Sequence, residues 1–89
     1  MSAQSELDQE RAVLVKANLD ICNGEERIRK QQDLISDLHA GGHETREAER
    51  LLRLFQRTLV QWQDHRVLIL QRIQQLEAAT ADAAKSGAD

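Results

Sequence analysis

Apolar residues recur every seven positions in two long stretches of this chain, and that period predicts two helices. In the second stretch Ala48, Phe55, Trp62, Ile69 and Leu76 keep the interval, with Leu52, Leu59 and Ile73 in register three or four residues away. In the first, Leu7, Leu14, Ile21, Ile28 and Ile35 keep it too. Spacing of this kind lines one face of a helix and makes the inward seam of a coiled-coil-like pair. The alternate layer of the first seam reads Ala3, Glu10, Ala17, Gly24, Gln31, Leu38. Its middle is small, which lets a bulky side chain from a neighbour approach.

Punctuation sets the boundaries. Ser5-Glu6-Leu7-Asp8 reads as a serine cap with a carboxylate three residues on, after a frayed Met1 to Gln4. Helix 1 is therefore expected over about 5–39. Gly24 costs a helix interior roughly 1 kcal/mol against alanine, yet the seven-residue phase runs unchanged from Ile21 to Ile28. A real break would shift that phase, so one continuous helix is expected. Gly41 and Gly42 allow a left-handed residue past the helix end, and Thr45 can cap the next helix. A turn over 40–44 then leads to helix 2 over about 45–79, and a small, polar tail over 80–89 is expected to fray. A connection this short forces an antiparallel hairpin. Residues 1–89 are thus read as a single all-α hairpin domain.

In such a hairpin, facing residues have numbers that sum to about 84–86. Ile35 then meets Ala48 and Leu52, Ile28 meets Phe55 and Leu59, and Gly24 lies opposite Trp62. Ala17 and Ile21 face Arg66 and Ile69. The expected seam is Leu14, Ile21, Gly24, Ile28, Ile35, Leu52, Phe55, Leu59, Trp62, Ile69 and Ile73. Arg66 is a cation at a seam position between Leu59 and Ile73, and a buried guanidinium needs a partner. Asp20 is the nearest candidate by register and an acid from a second protomer is another, and Arg66 is the expected register-setting polar residue.

Helix 2 holds more apolar surface than one seam uses. Leu51, Leu54, Val60, Val67, Leu68 and Leu70 lie off it. Fully burying one such side chain contributes roughly 1.5–3 kcal/mol, so a connected patch of them in water is unfavourable. Two hairpins joined in a symmetric four-helix bundle resolve the surplus. A homo-oligomer is expected, a dimer first, with Leu51, Val60, Val67 and Leu70 at the interface. An unidentified protein partner is the alternative occupant.

Composition narrows the partners. Charged residues make up 30% of the chain and proline is absent, which favours long helices. The formal charge is −3; residues 1–40 carry 5 basic and 8 acidic residues, and 41–89 carry 7 of each. Without a basic face, nucleic acid is not the expected main partner, because phosphate neutralisation supplies most of that affinity. A lone Cys22 forms no internal disulfide and suits a reducing compartment. With no signal-like N-terminus and Val67 to Leu70 as the longest aliphatic run, a cytoplasmic protein without a membrane span is expected.

Chemistry-bearing residues form no convincing constellation. His39 and His43 are separated by two glycines and share no helical face, so no metal is expected. Cys22 stands beside Asp20 and Glu25, the opposite of what activates a thiol. Arg46, Arg50, Arg53 and Arg57 form an outward stripe, but Glu47 and Glu49 interleave with it, which favours a solvated face. No acid/base or nucleophile pair falls on one face, so neither an enzyme nor a cofactor is expected.

The stretch Gly24-Glu25-Glu26-Arg27-Ile28, then Gly42-His43-Glu44-Thr45, Ala48 and Leu51-Leu52 resembles a group of short bacterial helical-hairpin proteins of unknown function. Their pattern is G-x-x-x-I followed by G-H-[DE]-T-x-x-A-x-x-L-L, and the likeness covers the central half of the chain. Asp20 stands where that group has a histidine. The resemblance implies a helical hairpin and adds no chemistry. The resulting expectation is a non-enzymatic interaction or regulatory protein that homo-oligomerises through the apolar faces of both helices. The runner-up is an RNA-binding hairpin dimer, resembling the plasmid copy-control bundle, that uses the arginine stripe of helix 2.

Overall fold

The computed structural model describes residues 2–87 and is an all-α helical hairpin of two helices, α1 (Ala3–Ala40) and α2 (Arg46–Gly87). The expected fraying at Met1 and at the last two residues lies outside the described residues.

Both outer helix ends run further than their sequence signals indicate. The cap of α1 is Ser2 rather than Ser5: its Oγ accepts the Ser5 N–H at 3.2 Å and its carbonyl accepts the Glu6 N–H at 3.1 Å. Ser5 is thereby a first-turn residue of the helix, with Glu6 beside it near the positive end of the dipole. At the other end α2 does not stop near Ala79 but continues to Gly87. Alanine loses no side-chain entropy on entering a helix, and the alanine-rich tail has no glycine before Gly87 to stop it. α1 is continuous through Gly24.

A Schellman turn closes α1. His43 N–H bonds the Leu38 carbonyl at 2.8 Å, and Gly42 N–H bonds the His39 carbonyl at 3.1 Å. Gly42 takes the left-handed conformation this geometry requires, with φ of 73°. Thr45 then stands at the cap of α2, its carbonyl accepting the Glu49 N–H at 2.9 Å, with Glu47 and Glu49 in the first turn.

The chain divides into two compact units. One runs up to Asn18 and resumes at Asp64; the other is Leu19–Gln63. The first unit holds a hydrophobic core of Leu7, Ile69, Ile73 and Leu76, with Leu14 and Ala17 packed against it. Glu6 and Arg72 approach to 4.0 Å beside it. The second unit is the turn end of the hairpin. Its seam residues Ile21, Ile28, Ile35, Leu52, Phe55, Leu59 and Trp62 are all half-buried, and its buried side chain, among the described residues, is that of Gln31. The seam faces inward in each unit. Only the first completes a buried apolar core.

Candidate functional site

An apolar groove of about 640 Å³ lies in the Leu19–Gln63 unit. α1 supplies Leu38 from its alternate seam layer and Leu34 from beside the seam. α2 supplies Ala48, Leu51 and Leu54, and the Schellman turn holds the two walls together at one end. Leu34, Leu51 and Leu54 stay 45%, 42% and 50% exposed. Charged residues come only from the α2 side: Glu44, Glu47, Arg50 and Arg57.

The floor of the groove is set by a polar residue. Gln31 is buried, and its Nε2 donates to the Ala48 carbonyl at 2.8 Å. A carbonyl already bonded within its helix has a second lone pair, so the amide ties the two helices together without breaking a turn. Its place among small and apolar neighbours of the seam layer, between Gly24 and Leu38, was the available signal for this role. At the other end of this surface the Arg27 guanidinium sits 5.5 Å from the centre of the Phe55 ring, a cation–π distance. Gly24 lies beneath Trp62 and Leu59: a β-carbon there would stand 3.0 Å from Trp62 Cζ3 and 3.5 Å from Leu59 Cδ1.

Two of the residues expected at an oligomer interface lie on different sides of α2. Leu51 and Val60 are nine residues apart, two and a half helical turns, and so occupy opposite sides of α2. Leu51 lies in the groove with α1, whereas Val60 lies outside it with Arg53, Gln56 and Gln61. Val67 and Leu70 belong to the other unit, Val67 exposed and Leu70 half-buried. Leu34 and Leu54 are the groove residues that the seven-residue pattern alone does not single out, because they flank the seam.

Arg66 is half-buried and finds a neutral partner. Its Nε donates to Asn18 Oδ1 at 2.6 Å.

The remaining candidates are surface features. Arg46, Arg50, Arg53 and Arg57 are exposed, as are Glu47 and Glu49 between them. Glu26 and Arg29 form an exposed ion pair one turn apart; the hydrogen bond and the charge of Arg29 hold the Glu26 carboxyl below its ordinary pKa, and Glu26 raises that of Arg29 in return. The His43 ring packs against Gly41, where a β-carbon would lie 2.9 Å from Cδ2. Cys22 is an exposed free thiol. Among the described residues no three of His, Cys, Asp and Glu gather as a metal site, and no helix is long and apolar enough to cross a membrane.

No protein-family model, curated protein or solved structure matches the chain.

Proposed function

We propose that this protein is a non-enzymatic helical interaction module that assembles with copies of itself, two hairpins completing a four-helix bundle. A bacterial cytoplasm is the setting this reading assigns, in keeping with the resemblance of the central stretch and with Cys22 as a free thiol.

One observation carries the reading. In the Leu19–Gln63 unit no described apolar side chain is buried, although a full seam of them points inward. A pair of helices covers only one stripe of each, and half-buried seams are finished by further helices. Completing the burial of Leu34, Leu51 and Leu54 stabilises by roughly 1 kcal/mol each. Across a symmetric pair that totals about 6 kcal/mol, against an association cost of about 4–15 kcal/mol. The groove alone therefore offsets that cost only at the low end of its range, and a stable pair needs more apolar area than these three leucines supply.

Light scattering over a range of concentrations tests this. The expected mass is twice that of the 10.1 kDa chain, falling toward the monomer on dilution. A cooperative, fully helical monomer at every concentration refutes self-association. Salt-sensitive retardation of RNA, lost when Arg50 and Arg53 are replaced, would transfer the function to nucleic-acid binding.

A further inference from the structure

We infer that the groove between Leu34, Leu38, Leu51 and Leu54 is the contact at the two-fold axis of this assembly, and that it receives the Leu51–Leu54 ridge of α2 from a second copy lying antiparallel. The inference rests on the self-association reading and adds the face and direction of pairing.

The order of charge along the groove carries it. Glu44 of the turn and Glu47 of α2 come first, the two leucines of α2 sit in the middle with Arg50 beside them, and Arg57 follows. The α1 wall, made of Gln31, Leu34 and Leu38, adds no charge. The occupant therefore meets a gradient set by one helix, acidic at one end and basic at the other. A uniformly acidic helix is repelled by the Glu47 end and a uniformly basic one by the Arg57 end. A second copy laid parallel sets like charge on like.

A second copy turned end for end satisfies both ends. With the axis between Leu51 and Leu54, each Leu51 packs against Leu54 of the second copy. Glu47, one turn before Leu51, then comes level with the segment carrying Arg57, one turn beyond Leu54. The same pair forms twice, as an isologous contact requires. Opposed charges around an apolar centre fix direction and exclude wrong partners more than they add affinity.

Reciprocal charge reversal separates this geometry from assembly in general. Glu47 and Arg57 are both exposed, so Glu47→Arg and Arg57→Glu are expected to keep the helical content of the wild type by circular dichroism. In sedimentation at low salt, each variant alone should self-associate about tenfold more weakly, because both cross-pairs become repulsive. Mixed in equal amounts, the two should recover wild-type affinity, since both cross-pairs are then opposite in sign. A wild-type dimer whose single variants associate as tightly as the parent overturns the antiparallel groove contact while leaving self-association standing. Weakened variants that fail to recover on mixing also overturn it. A wild-type monomer removes both proposals.

Discussion

The six-membered ring of Trp62 rests on Gly24, so closely that a β-carbon at position 24 would lie 3.0 Å from Cζ3 and 3.4 Å from Cε3. Glycine in mid-helix is unfavourable by itself, and the indole above it is what makes the residue useful. Two opposed terms meet at this one position.

Gly24→Ala should therefore have little net effect in the wild type. The gain in helix propensity, about 1 kcal/mol, is offset by displacing a half-buried ring by a few tenths of an ångström. In a Trp62→Phe background the outer ring is gone, and the same substitution should stabilise by close to the full ~1 kcal/mol. Urea denaturation of the four proteins measures the coupling. Equal increments in the two backgrounds would show that the ring does not feel position 24.

Ile73 and Leu68 lie five residues apart on α2, 6% and 61% exposed. Ile73→Ala removes part of the one buried apolar core and should cost about 2–5 kcal/mol. Leu68→Ala should change stability by no more than about 0.5 kcal/mol in the dissociated chain. Thermal melts at low concentration compare them. Similar losses would mean the core is not centred on Ile73 and its neighbours.

Gln31 gives a pH-dependent test. Gln31→Glu sets a buried acceptor against the Ala48 carbonyl in place of the Nε2 donor, and should destabilise by about 1–3 kcal/mol at neutral pH. Burial disfavours the carboxylate, so the folded-state pKa of the new group lies above its unfolded value. Below the unfolded pKa both states are protonated, the carboxyl can donate, and the penalty is absent; it appears as pH rises and is complete above the folded pKa. A stability loss that stays the same from about pH 4 to about pH 8 would contradict this.

Asn18→Asp replaces a neutral acceptor of Arg66 with a charged one. Asn18 is exposed, so the gain should stay within about 1 kcal/mol and shrink as salt is added. Melting temperatures at low and high ionic strength report it; a gain that does not respond to salt would point to a cause other than the pair.

The seven-residue period determined, without any tertiary information, that there are two helices and which face of each turns inward. The Gly41-Gly42 pair determined where they reverse. These properties are local: they depend on residues a turn or two apart, and the backbone conformation that Gly42 adopts is written in its missing side chain. The small layer around Gly24 opposite an indole follows from the same arithmetic, because facing positions in a hairpin are bound to the turn. Even the separation of Leu51 from Val60 was present as nine residues at a hundred degrees each.

Tertiary structure decided what depends on the reach of a side chain across a gap. It gave Arg66 the Asn18 Oδ1 and Gln31 the Ala48 carbonyl. It also joined Leu34 and Leu38 to Leu51 and Leu54 in one groove with charge on a single wall. Periodicity places a residue on a face to within a turn, whereas a hydrogen bond is made or lost within a fraction of an ångström, and the difference between those two lengths is the part that the chain's pattern could not supply.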